Sequence, residues 1–301
     1  MIDRHVRIYE VGPRDGLQNE GAPIPTEAKL RFIDLLADAG LREIETTSFV
    51  APRAVPQLAD ADDLMSRLER RPGVRYPVLV PNERGLARAE AAGVDAVCVF
   101  TAASEAFTKA NINMTIAESI DAFRPVVARA RERGWWSRGY VSTAFGCPYQ
   151  GEVGEAAVVG VARQLVELGV EEISIGDTIG VAVPGDVRRV VRALLSAGIG
   201  ADRLAMHFHD TRGTALANVA AALDLGIRCL DASTGGTGGC PYAPGAAGNL
   251  ATEDLVSLLD REGLSHGVDL DALLVSAEHV SQTLGRPLST KVGQAGGWRV
   301  P

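Results

Sequence analysis

The sequence predicts an α/β protein, a (β/α)8 (TIM) barrel with extra C-terminal helices, on three observations. Short β-rich runs alternate with Ala/Leu/Arg-rich stretches whose apolar residues recur at three and four spacing. The alternation recurs about eight times with no visible linker, which implies parallel strands joined by right-handed crossovers that can close on themselves. No GxGxxG follows the first run, so the rival architecture, an open doubly wound sheet, lacks its phosphate-binding turn. Residues 1–301 therefore read as a single barrel domain.

Eight runs supply the strands: VRIYEV (6–11), EIETTSF (43–49), RYPVLV (75–80), AVCVF (96–100), RGYVSTAF (138–145), EEISIG (171–176), RLAMHFH (203–209) and RCLDAS (228–233). Between them, residues 26–39 read as a helix opened by Thr26 after Pro25 and stopped at Gly40, and 154–168 as one stopped at Gly169. Similar stretches run at 83–92, 115–133, 184–197 and 213–225, and residues 252–283 supply the eighth helix plus at least one extra.

The 30 Lys plus Arg against 38 Asp plus Glu give a net charge of −8, which argues against a nucleic-acid partner, since phosphate neutralisation needs clustered basic charge. No apolar run reaches the roughly 18 to 20 residues that span a bilayer, and MIDRHVRIYE holds no apolar signal core. The expectation is a soluble, cytoplasmic protein with no membrane partner. Cys98, Cys147, Cys229 and Cys240 show no paired spacing and read as reduced thiols.

In such a barrel the reactive groups collect at the C-terminal ends of strands, and here they do. The first strand ends in VGPRDGLQNE with Arg14 and Asp15, and the second carries Glu45. The sixth ends at Asp177, the seventh at His207 and His209, and the eighth runs into STGGTGGCPYAPGAAGN with Cys240 and Asn249. Two residues apart on a strand, His207 and His209 point to one face. Alone, such a pair serves a metal or a hydrogen-bonding role about equally often. With Asp15 and Asn249 it makes a set of two nitrogens and two oxygens that suits octahedral Mg²⁺ or Mn²⁺ better than tetrahedral zinc.

The glycine-rich stretch at about 234–249 reads as a mobile lid carrying the Cys240 thiol outside the metal shell. A thiol there can act as acid, base or nucleophile, whereas the other three cysteines read as core residues. Arg14 keeps its charge and presents a fixed fork of donors, suited to an oxyanion or enolate; its structural alternative is a salt bridge to Glu45 or Asp177. Those two carboxylates read equally as bases or as members of a network that positions Arg14.

These segments resemble the hydroxymethylglutaryl-CoA lyase family, within the wider group of metal-dependent barrel lyases and Claisen synthases. The likeness runs from VGPRDGLQNE through IETTSFV, PVLVPN, TKANIN, RGYVS, GDTIGV and HFHDT to GGCPYAPGAAGNLATEDLV. It implies Mg²⁺- or Mn²⁺-dependent cleavage of 3-hydroxy-3-methylglutaryl-CoA to acetyl-CoA and acetoacetate, chemistry that serves leucine degradation, ketone-body formation and terpene catabolism alike. It also implies that Asp15, His207, His209 and Asn249 hold the metal, that Arg14 is the essential arginine and that Cys240 is the catalytic cysteine. Asp177 or His207 would take the hydroxyl proton, Glu45, Asp177 and Glu253 would surround the substrate or order the site, and Asn111 would contact CoA. A homodimer is implied on the same ground.

The chain departs from the family pattern at Arg212, where an aromatic is usual, at Thr237, where leucine is usual, and at Pro244. A new charge near the mouth bears on acyl preference. The nearest rival is thus a lyase of the same mechanism for a longer-branched hydroxyglutaryl-CoA or a citramalyl-CoA. A Claisen-type synthase stands further off, because the GGCP loop is present and no extra regulatory domain is. A non-catalytic metal-binding barrel would not need metal set, arginine and thiol together.

Overall fold

A computed structural model describes residues 5–239 and 248–297. β1 (Arg7–Glu10) opens the sheet and leads through a single π-helical turn, Gly12–Gly16, to α1 (Thr26–Asp38). The second stave is split into β2 (Glu43–Ile44) and β3 (Thr47–Ser48), followed by α2 (Ala61–Arg67). β4 (Val78–Leu79), α3 (Glu83–Ala91), β5 (Ala96–Ala102), α4 (Glu105–Ile112), α5 (Ile116–Arg133) and β6 (Trp136–Ser142) come next. Then follow α6 (Glu155–Leu168), β7 (Glu172–Asp177), α7 (Pro184–Ser196), β8 (Leu204–Phe208), α8 (Ala215–Asp224) and β9 (Cys229–Ala232). α9 (Thr252–Arg261), α10 (Leu270–Leu284) and α11 (Lys291–Ala295) end the described chain.

All pairings between these strands are parallel, in the order β2-β1-β9-β8-β7-β6-β5-β4-β3. The ring closes through the split stave: Glu45 N donates to Glu10 O (2.8 Å) and Thr46 N to Pro77 O (3.0 Å), so the segment between β2 and β3 bonds a neighbour on each side. Nine short strands thus make the eight staves of the expected barrel.

Alternation along each strand sends one set of side chains outward and one inward. Outward, Ile8, Ile44, Val97, Val99, Val141, Ile173, Ile175, Leu204, Met206 and Leu230 pack under the helices in the main apolar core. Each contributes about 1.5 to 3 kcal/mol by leaving water. Inward, a smaller cluster of Tyr9, Val11, Leu79, Cys98, Tyr140, Ala205 and Cys229 lies among charged groups. Arg138 is fully buried there, with its guanidinium 3.8 Å from the Tyr9 ring centre, and it pairs with Glu172 and Asp231.

The helix ends follow local chemistry. Thr115 and Glu118 form a reciprocal capping box at the start of α5, and Gly134 closes it in the left-handed region. Gly40 (φ 97°) cannot be replaced by a larger residue, because a Cβ there would lie 2.2 Å from Gly267 O. The stretch read as 252–283 divides into α9 and α10 around Gly263 (φ 64°) and Gly267 (φ 75°). The π-helical turn, α2, α4 and α11 are additions to the elements read from the sequence. Each is five to eight residues long, too short to show a helical period.

Candidate active site

The mouth of the barrel brings together residues 234 positions apart. His207 sits on β8 and His209 one residue beyond its end, with ring centres 5.3 Å apart. Asp15 lies in the π-helical turn after β1, and one potential ligand atom from each of Asp15, His207 and His209 falls within 4.8 Å of the others. Asn249 is delivered by backbone pairing: Leu250 N donates to Phe208 O (3.0 Å) and Asp210 N to Gly248 O (2.7 Å), laying this segment along the end of β8. Its Nδ2 donates to Asp15 Oδ2 (2.8 Å) and to Thr237 O (3.0 Å).

The donor set fits a divalent cation. His209 Nδ1 and Asn249 Oδ1 are both buried without a hydrogen-bond partner, an arrangement that normally costs about 1 to 3 kcal/mol per group. Burial pushes the Asp15 carboxyl up, but Arg14 and the two imidazoles outweigh it and hold it at about 2. Burial and the neighbouring His207 push His209 down to about 4, so its imidazole is neutral at pH 7 and has a lone pair to offer. Burial also opposes charge on His207, yet its hydrogen bond to Asp231 prevails and raises it.

Arg14 sits beside this cluster. Its Nε and Nη2 grip both oxygens of Glu45 (2.8 and 3.2 Å), and its Nη1 reaches Asp15 Oδ1 (2.7 Å). Tyr140 Oη donates to the second oxygen of Glu45, and the guanidinium lies 5.4 Å from the Tyr140 ring centre. Burial works against the Arg14 charge, but Glu45 and Asp15 more than compensate and lift its pKa far above the ordinary range. A guanidinium has five N–H donors, so three bonds leave two for a developing negative charge. Glu45 is the partner that orients Arg14; Asp177, the other candidate, does not touch it.

Asp177 ends β7 and is tied differently: Oδ1 accepts from Val181 N and Oδ2 from Ala182 N, each at 3.0 Å. Burial raises its pKa to about 6, with the two amides, His207 and Arg212 pulling the other way. Glu253 lies under the start of the glycine-rich loop, where both its oxygens accept from Gly235 N (2.9 and 3.0 Å). Burial dominates there too, and nearby Glu10 and Asp254 add to it, placing Glu253 at about 8. Glu253 therefore orders the loop base. Asn111 is exposed near the end of α4 and is not drawn into this network.

Of the departures from the family pattern, Arg212 spends its Nη1 on the carbonyls of Ile179 (2.8 Å) and Gly180 (3.0 Å), bracing the loop after β7. The Thr237 hydroxyl is buried and satisfied by Ser233 Oγ (2.6 Å) and Thr234 O (3.1 Å). Cys240 and Pro244 lie outside the described residues, as does half of the segment read as a lid. Its described ends nearly touch: a Cβ on Gly248 would lie 1.6 Å from Gly238 O, and one on Gly238 (φ 91°) 2.5 Å from Asn249 Nδ2. Cys98, Cys147 and Cys229 are buried and free, as expected of core thiols.

Four residues carry this site that sequence patterns did not single out: Glu10, Tyr140, Arg138 and Asp231. Glu10 is fully buried and accepts from Gly12 N (2.8 Å), Thr234 N (2.9 Å), Thr234 Oγ1 (3.0 Å) and Thr252 Oγ1 (2.7 Å). It ties the first strand's mouth to the last. The available signal was a charged residue inside an apolar strand run, since a buried polar group is the informative exception.

Fold and cluster together define a (β/α)8 barrel with a candidate divalent-metal site at its catalytic end. A family profile described as HMGL-like matches residues 5–280. The mitochondrial hydroxymethylglutaryl-CoA lyase of Rattus norvegicus is 49% identical over 294 residues, covering 98% of this chain and 90% of that one. The hydroxymethylglutaryl-CoA lyase structure from Pseudomonas aeruginosa superposes with a TM-score of 0.95 at 46% identity, covering 98% of each chain. An HMG-CoA lyase from Acinetobacter baumannii, solved with coenzyme A and 3-methylmalate, gives 0.93 at 37% identity, covering 99% of this chain and 98% of that one. The chain belongs to the HMGL-like family, that of the hydroxymethylglutaryl-CoA lyases.

Proposed function

We propose that this protein is a carbon–carbon lyase that cleaves 3-hydroxy-3-methylglutaryl-CoA to acetyl-CoA and acetoacetate. The observation that carries the proposal is the convergence of Asp15, His207, His209 and Asn249 beside a buried Arg14 in a chain so similar to lyases of that name. The four residues would hold Mg²⁺ or Mn²⁺, hard enough cations for the two oxygen donors and tolerant of the imidazoles. Such a cation supplies Lewis acidity that lowers the pKa of the substrate's 3-hydroxyl.

Asp177 takes the hydroxyl proton. Each of its oxygens accepts only one backbone bond, and it stands outside the metal-ligand set, whereas His207 is committed to that set and to Asp231. As the O–H pair becomes the new ketone, the C2–C3 bond breaks and its electrons pass to the thioester as an enolate. Arg14 faces the thioester oxygen with its two remaining donors, and Cys240 delivers a proton to the enolate carbon. Glu45 and Glu253 order the site, and Asn111 contacts CoA. Residues 234–249 act as the lid of a single catalytic domain, and Gly238 and Gly248, at the described ends of that segment, lie against each other.

The same reading makes the protein a cytoplasmic homodimer. The cytoplasmic location rests on the sequence reading, and relatives of similar identity include a cytoplasmic human lyase (48%) as well as mitochondrial ones. Among the described residues no helix is long and apolar enough to cross a membrane. The homodimer rests on the family resemblance.

The test is direct detection of acetoacetate and acetyl-CoA from Mg²⁺- or Mn²⁺-replete enzyme. Turnover abolished by EDTA, restored by metal and lost in Cys240→Ala is the expected result. A metal-loaded sample inert on this substrate but active on another branched 3-hydroxyacyl-CoA would move the substrate assignment and keep the mechanism.

A base must be ionised to accept a proton, so kcat/KM should rise with pH through about 6, the value burial gives Asp177. Asp177→Asn should remove that limb and cost roughly 10²- to 10⁴-fold in rate. An unaltered limb in the variant would assign the base elsewhere.

A further inference from the structure

We infer that Asp231, clamped by Arg138 and Ser174, is a positioning residue for His207 that keeps the imidazole proton on Nδ1. Nε2 is then the nitrogen with a lone pair for the mouth of the barrel. The inference deepens the proposed metal site and rests on it for its functional meaning.

Asp231 lies on β9 directly across from His207 on β8, and its side chain is fully buried inside the barrel. Oδ1 accepts from Arg138 Nη2, while Oδ2 accepts from Ser174 Oγ (2.8 Å) and lies 3.2 Å from His207 Nδ1. Arg138 is itself wholly buried and pressed between the rings of Tyr9 (3.8 Å) and Tyr140 (5.1 Å), with Glu172 3.2 Å from its Nε. A guanidinium does not lose its proton, so the group facing His207 is a carboxylate, which only accepts hydrogen bonds. Nδ1 must therefore donate. Partners of ligand histidines commonly fix ring orientation and tautomer in this way.

The alternative is that Asp231 serves only as the counter-ion of Arg138. Asp231→Asn separates the two. Arg138 demands an acceptor, so the Asn oxygen takes the place of Oδ1 and the NH₂ takes the place of Oδ2. That amide donates to His207 Nδ1 and drives the proton to Nε2, the atom a cation needs bare. A counter-ion role alone would leave the tautomer unchanged.

The experiment is ¹⁵N NMR of the His207 ring in the metal-free full chain, followed up in pH until the ring is neutral so that one nitrogen alone carries the proton, together with Mn²⁺ titration by electron paramagnetic resonance. Wild type should show the Nδ1–H tautomer. Asp231→Asn should show Nε2–H and bind Mn²⁺ about 10- to 100-fold more weakly. An Nε2–H tautomer in wild type overturns the inference, as does a folded Asp231→Asn variant with unchanged tautomer or unchanged Mn²⁺ affinity. If that variant fails to fold, the wild-type tautomer decides. A wild type that binds no Mn²⁺ defeats the metal reading, while its tautomer still decides this one.

Discussion

Arg14→Met should lower kcat by about 10³-fold with a much smaller change in KM, since removing one donor that meets transition-state charge typically costs 10²- to 10³-fold. The loss lies at the upper end of that range because Arg14 presents two unused N–H groups and a full charge within a buried site. Met keeps the length of the side chain, so packing against Tyr140 survives, but Glu45 and Asp15 lose three hydrogen bonds. Arg14→Lys is the sharper comparison. An ammonium keeps the charge but cannot fork between Glu45 and Asp15, so activity should recover only in part. Single-turnover cleavage with Mn²⁺-loaded enzyme measures the chemical step. An unchanged kcat in Arg14→Met would remove Arg14 from the chemistry and leave it a structural ion-pair member.

Glu10→Ala should destabilise the protein by about 4 kcal/mol, the sum expected when four buried donors lose their acceptor at about 1 to 3 kcal/mol each and some find water. Those donors belong to Gly12, Thr234 and Thr252, so the damage falls on the first and last segments of the mouth. For a chain of this size the melting temperature should fall by about 8 °C, and Mn²⁺ affinity with it, because Gly12 begins the turn that carries Asp15. Burial raises the Glu10 pKa against the pull of those hydrogen bonds, so part of its charge cost is real. Glu10→Gln, which keeps one acceptor oxygen and drops the charge, should lose less than Ala. Calorimetry on both variants checks the order, and a melting point within 2 °C of wild type in Glu10→Ala would refute it.

The staves and most large helices were legible because their signals are local: the apolar run AVCVF, the three and four spacing over 115–133, the Gly169 stop. The convergence of Asp15, His207, His209 and Asn249, the candidate metal site, was legible because barrel topology fixes where strand ends go, without any knowledge of side-chain contacts. The purpose of the carboxylates was not. Glu45 grips Arg14, Glu253 a loop amide and Asp177 two amides, and each choice depends on which neighbour faces it across the fold. The charged barrel interior was equally hidden, since Arg138 and Asp231 meet across 93 positions of sequence.

The base of the glycine-rich loop leans on the far end of the described chain. Ser289 N and Oγ both donate to Gly235 O (3.1 and 3.2 Å), and Asp254 holds the turn at Thr290 to Val292 through three further bonds. In chain order Asp15 is made well before Asn249, Asp254 and Ser289. β1 closes onto β9 and α1 packs on α10, so barrel closure and the completion of the site both wait on the C-terminal third of the described chain during synthesis.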